Sequence, residues 1–121
     1  MWSELITVAE TLTFMRQAEA IWNEEEREAF VDFIARNPEA GDVIPETGGV
    51  RKIRWRMQGR GKRGGSRVIY FFYDRAAPIY LLMVYAKGVS ENISPEAKKL
   101  VREFAARIKQ AHRRRETRRS Q

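Results

Sequence analysis

Apolar and polar positions change period several times along the 121 residues. Leu5, Ile6 and Val8 open the chain as a short strand-like run. The spacing predicts a first helix over Thr13–Ile21 and a second from Asn23 or Glu24 to Arg36. In the second, Ala29, Phe30, Phe33 and Ile34 form the stripe to be buried. Asn23 is suited to cap it, Glu24, Glu25 and Glu26 favour its positive end, and Asn37-Pro38 stops it.

A segment rich in turn formers follows, from Pro38 through Gly41, Pro45, Gly48 and Gly49. Val50–Met57 then alternates strictly: Arg51, Ile53, Trp55 and Met57 point one way, Lys52, Arg54 and Arg56 the other. Residues 58–66 hold four of the eight glycines and no apolar side chain, which predicts a connecting loop. Arg67–Asp74 and Ile79–Ala86 are apolar on both faces, as central strands covered on both sides are. Ser94-Pro95-Glu96 is a helix start, and Leu100, Val101, Phe104, Ala105 and Ile108 give the final helix its buried stripe. The expected order is β-α-α-β-β-β-α, an α+β domain over residues 1–112. Its helical pair packs on a small antiparallel sheet, and a C-terminal amphipathic helix completes it. Residues 113–121 are expected to form a frayed basic tail.

Composition narrows the chemistry. With no cysteine and a single histidine, His112, a disulfide framework, a thiolate or histidine-rich metal site, a cysteine nucleophile and a two-histidine nuclease are all excluded. His112, beside Arg113, Arg114 and Arg115, reads as a surface residue. No run approaches the roughly 20 apolar residues that span a bilayer, and Glu4 and Glu10 interrupt any signal-peptide core. A cytoplasmic protein without membrane attachment is expected.

Charge is split by position. Residues 1–48 carry three cations and eleven acids, a net of −8, whereas residues 49–121 carry twenty cations and five acids, a net of +15. A polyanionic partner for the second part is one reading, and neutralisation of one half by the other is the alternative. The cations also cluster locally. Arg51 to Arg67 contains eight of them and no acid. Lys52, Arg54 and Arg56 recur on one strand face about 7 Å apart and can line a cradle for a phosphate backbone, unless they simply form a solvated face.

Trp55, Tyr70, Tyr73, Tyr80 and Tyr85 interleave with these cations. Trp55 faces away from Lys52 and belongs to the core, while tyrosines beside cations can stack on unpaired bases or serve only in packing. Gly59, Gly61 and Gly64 match the dinucleotide-binding glycine pattern, but a strand rather than a helix follows them, so that reading fails.

The run GDVIPETGGVRKIRWRMQGRGKRGGSRVIYFFYD, then IYLLMVYAKGVSENIS and a basic amphipathic helix, resembles the RelE/HigB family of bacterial toxins over about residues 2–110. The match is to the HigB-like branch. The resemblance implies a toxin of a toxin–antitoxin pair that cleaves messenger RNA in the ribosomal A site, and a HigA-like helix-turn-helix antitoxin. Such cleavage needs a base for the 2′-hydroxyl, cations around the phosphate and a proton for the departing 5′-oxygen, and requires neither metal nor cofactor. Arginine keeps its proton, whereas lysine in cationic surroundings can release it.

Lys52 is therefore the candidate base, crowded by Arg51 and Arg54, with Lys62 and Lys87 behind it. The family's paired basic residues fall on Lys52 and Arg54, and its essential arginine opening the next strand falls on Arg67; the last two hold the scissile phosphate. Arg56, Arg60, Lys62, Arg63 and Tyr70 are expected to bind RNA. The arginine and tyrosine that some RelE toxins carry after the last strand fall on Gly88 and Ser94, so Lys87 is taken as a further catalytic candidate. A ParE-like gyrase-inhibiting toxin and a noncatalytic RNA-binding module remain the alternatives.

Overall fold

The computed structural model describes residues 5–56, 65–86 and 93–120, the last five by backbone alone. Strands β1 (Val8–Glu10), β2 (Asp42–Val43), β3 (Val50–Trp55), β4 (Ser66–Phe71) and β5 (Ile79–Ala86) form one sheet in the order β1-β5-β4-β3-β2. Helices α1 (Leu12–Ile21) and α2 (Glu24–Arg36) cover one face, and α3 (Pro95–Ser120) covers part of the other. The α+β class holds, but the sheet is mixed rather than antiparallel, because β1 runs parallel to β5. None of the described helices is long and apolar enough to cross a membrane.

Each element has a local cause. Thr11 caps α1 by accepting from the Phe14 N–H, and its hydroxyl donates to the Leu81 carbonyl at 2.8 Å, which fastens the helix start to β5. α2 opens with a reciprocal capping box: Asn23 Oδ1 accepts from the Glu26 N–H and Glu26 Oε1 accepts from the Asn23 N–H. Ser94 Oγ accepts from the Ala97 N–H at the start of α3.

The opening strand begins later than expected. Ile6 is buried and donates its N–H to the Ala35 carbonyl at the end of α2, so β1 starts only at Val8. β2 was absent from the expected order, since two residues between turn formers carry no periodic signal. Beyond His112 the chain continues as helix to Ser120 instead of fraying.

Two apolar clusters flank the sheet. Phe14, Ala18, Trp22, Phe30 and Ile34 of the helical pair pack on Val68, Tyr70, Ile79, Leu81 and Val84. On the other face, Val101 and Ala105 of α3 pack on Val50, Ile69, Phe71 and Leu82. A bulge in β5 supplies both. Ile69 pairs with Met83 but Tyr70 pairs with Leu81, so Leu82 is an extra residue and both Leu82 and Met83 turn toward α3. Beyond Leu81 the outer edge of β5 passes the end of β1, where Gln17 Oε1 of α1 accepts the Val84 N–H at 2.9 Å.

Candidate active site

α3 covers only the half of its sheet face around Val50, Ile69, Phe71 and Tyr80. The other half carries cations. In β3, Lys52 and Arg54 share a face with buried Val50, while Ile53 and Trp55 turn to the helical pair. Register then sets Arg54 directly opposite Arg67 of β4, and Arg67 opposite Tyr85 of β5. Lys52, Arg54 and Arg67 line a depression of about 270 Å³ together with Ala40, Asp42 and Ile53. Lys52 and Arg67 are half-buried and Arg54 is exposed.

The strand that opens with Arg67 is held from behind. Trp22 donates its indole N–H to Ser66 Oγ at 3.0 Å, a buried bond between the end of α1 and the residue before Arg67. Trp22 also packs on Phe14 and Phe30, and Trp55 on Phe30 and Phe33, so an aromatic chain backs the β3–β4 pair at this end. Gly65 enters β4 at φ +64°, and a Cβ there would strike the Trp55 carbonyl oxygen. The tight approach of Gly65 to β3 fixes where Arg67 begins.

Like charges facing each other across an antiparallel pair sit with Cβ atoms about 5 Å apart and destabilise a sheet. Arg54 and Arg67 are such a pair, with Lys52 next along the face. An anion seated among them removes the repulsion. A phosphate offers several oxygens to two guanidinium forks at once.

Asp42 escaped sequence reasoning. It is the cross-strand partner of Lys52 and lines the same depression, so an ammonium and a carboxylate occupy adjacent positions there. Its only sequence signal was an acid just after Gly41 among turn residues, which does not distinguish it from any solvated loop acid.

Several expectations are corrected. Tyr70 cannot stack on a base: it is fully buried against the helical pair, its hydroxyl accepts the Gly41 N–H at 2.8 Å and donates to the Pro38 carbonyl at 2.9 Å. Burial raises its pKa, and the hydrogen bond from Gly41 opposes that only in part. Arg51 does not crowd Lys52, because it points to the other face and donates to the carbonyls of Gly41 (2.7 Å) and Glu39 (3.2 Å). His112 is not a surface residue. It is buried edge-on against Tyr73, and its Nε2 lies 3.3 Å from Asp74 Oδ1. Tyr80 packs on Phe104 under α3, which leaves Tyr85 as the interleaved tyrosine beside the arginine pair. Arg56 follows β3 and is exposed. Arg60, Lys62, Arg63 and Lys87 lie outside the described residues.

The family described as RelE toxin of RelE / RelB toxin-antitoxin system matches residues 11–118. The chain belongs to the RelE toxin family. A solved structure of E. coli toxin RelE, a double arginine-to-alanine variant in the free state, is similar in fold. It superposes with a TM-score of 0.52 at 16% identity, covering 72% of this chain and 88% of that one. The three helices and five-stranded mixed sheet of this chain match that α+β fold. The chain is thus a toxin of the toxin–antitoxin type by family, with a cationic depression on the open half of its sheet.

Proposed function

We propose that this RelE-family chain is a HigB-like endoribonuclease that cuts messenger RNA in the ribosomal A site and so blocks translation. The observation that carries the reading is the opposed Arg54–Arg67 pair beside Lys52, a like-charge cluster whose repulsion a phosphodiester relieves. In the reaction the 2′-oxygen bonds to the adjacent phosphorus, the bond from phosphorus to the 5′-oxygen breaks, and a 2′,3′-cyclic phosphate and a 5′-hydroxyl result. Arg54 and Arg67 hold the phosphate oxygens as charge builds on them. Lys52, entering the step as the neutral amine, takes the 2′-hydroxyl proton and becomes an ammonium, which the Asp42 carboxylate opposite it steadies. Arg56 and, further along the chain, Arg60, Lys62 and Arg63 hold the RNA backbone. Lys87 stands as the further candidate for the proton delivered to the 5′-oxygen.

The partner that silences the toxin is a HigA-like helix-turn-helix antitoxin. The outer surface of the helical pair α1 and α2, acidic through α2 and on the face opposite the depression, is the favoured docking region. The same fold could inhibit gyrase as ParE-like toxins do, but that activity has no use for the cationic pair. The test is a translating extract programmed with a defined message, followed by mapping of new 5′ ends. Cuts within translated codons, and poor cutting of the same message when free, are expected. Equal cutting of free and translated message would overturn the ribosome-dependent reading, and gyrase inhibition without cleavage would overturn the nuclease reading.

A further inference from the structure

α3 is longer than the body it packs on. Its buried stripe runs Val101, Ala105, Ile108 and His112, at helical spacing. Among the described residues, His112 makes the last contact, against Tyr73 and Asp74 at the end of β4 remote from Arg67. The next position of the same stripe is Arg115, and it is exposed. The helix nevertheless continues from Arg113 to Ser120, about 12 Å at 1.5 Å per residue. Where the sheet ends, the stripe turns from apolar to cationic.

From residue 104 to residue 115 the charge is of one sign. No acid occurs between Glu103 and Glu116, while Arg107, Lys109, Arg113, Arg114 and Arg115 do. Among the described residues, Arg113, Arg114 and Arg115 make no salt bridge. Consecutive helical residues are about 100° apart, so these three cover more than half of the helix girth. The helix dipole does not account for them, because its pull on cations fades within the last turn, and the last turn is Thr117–Ser120.

We propose that the overhanging end of α3 is a second RNA-binding surface, separate from the cleavage site, that grips the phosphates of base-paired RNA. Its geometry selects the partner. An acidic protein face presents charge from one side and would leave part of the girth in water. The two strands of an RNA duplex present phosphate rows on both sides of its wide, shallow groove, and cations spread over more than half of the helix girth can reach both rows. The placement also suits the role. The overhang leaves the body at the end of the sheet away from Arg54 and Arg67, so a structured RNA can be held there while a single strand occupies the depression. The proposal rests on the nuclease reading only in expecting that duplex to be ribosomal.

The test uses the full chain and the triple variant Arg113→Gln, Arg114→Gln, Arg115→Gln, which keeps good helix formers. Binding to a labelled RNA duplex of about 16 base pairs is followed by fluorescence anisotropy over a range of salt concentrations. The variant is expected to lose roughly tenfold or more in affinity at low salt. Its salt dependence should be shallower by about two to three in log–log slope, near one per lost phosphate contact. Unchanged helicity and melting temperature should accompany the loss. If the triple variant melts early, Arg113→Gln and Arg115→Gln separately should each lower the slope by about one.

Wild-type affinity and slope in a folded variant would overturn the proposal. So would displacement of the duplex by polyglutamate as effectively as by unlabelled duplex, which would point to an acidic protein instead. Duplex binding needs no cleavage. A protein that grips duplex through these arginines but never cuts message would therefore refute the nuclease reading and leave this one standing.

Discussion

On the proposed reading, Arg67 serves cleavage while it faces another arginine across the sheet. Its direction is set by Gly65, by the Trp22–Ser66 bond and by pairing with Arg54 and Tyr85. A guanidinium held in this way costs no reorganisation when charge builds on phosphate. Losing such a preorganised contact typically removes about 3–4 kcal/mol of transition-state stabilisation, or roughly 10²–10³ in rate. Arg67→Ala should therefore almost abolish cleavage of translated message. Its melting temperature should stay near that of the unaltered protein. Arg67→Lys keeps the charge without the fork and should fall between the two in rate. A lowered melting point with activity reduced only in proportion to the folded fraction would show that Arg67 supports the fold instead.

The elements differ in how plainly the sequence announced them. α2 was legible almost to the residue because its start is local chemistry: Asn23, three glutamates and a capping partner within four positions. Asn23→Ala should cost about 1 kcal/mol and lower the melting temperature by several degrees. The cleavage rate per folded molecule should not change, since α2 lies across the sheet from the depression; a thermal melt and a cleavage assay on one preparation check both. β3 was legible from alternation, and with it the shared face of Lys52 and Arg54. The bulge at Leu82 was not, because β5 is apolar on both faces and one extra apolar residue leaves no trace in the pattern. β1 was misplaced and the sheet misread as antiparallel for a related reason. Parallel pairing of Val8 with Ile79 is a long-range fact, and three residues carry no record of it.

For the whole molecule, the charge split along the chain has become a split across the sheet. The acidic helix α2, with α1, covers one face, and Lys52, Arg54 and Arg67 of β3 and β4 occupy the other. That much follows from composition. The fates of Tyr70 and His112 did not, since each depends on a partner far away in sequence: the Pro38–Gly41 turn for one, Tyr73 and Asp74 for the other.

Tyr70 has a global consequence. Gly41 sits so close that a Cβ there would lie 2.9 Å from the tyrosine oxygen, so the turn and the ring form one packed unit. The folded-state pKa of Tyr70 is raised above its ordinary value of 10.0 by burial. Above pH 10 the unfolded chain thus gives up a proton that the folded chain retains, and stability falls as pH rises toward the folded pKa. Denaturant melts should show this decline beginning near pH 10, and Tyr70→Phe should make it shallower. The variant should also lose about 1–3 kcal/mol at neutral pH, because a buried N–H and carbonyl lose their partner. An equally steep alkaline decline in the variant would assign the effect to other groups.

The parallel pairing of β1 with β5 also bears on when this toxin becomes dangerous. The first strand, and the helix tied to it through Thr11, have their binding surface on β5, so both must wait for Ile79–Ala86 before they can settle. During synthesis, residues from Val8 through Ile21 leave the ribosome early and have no sheet to join until most of the chain has followed. The β3–β4 hairpin carries the cations, but the Trp22–Ser66 bond that steadies Arg67 comes from that same waiting helix. A growing chain thus holds Arg54 and Arg67 before it holds them in place. The site is thus assembled late in folding, which leaves an interval in which an antitoxin can meet an unfinished partner.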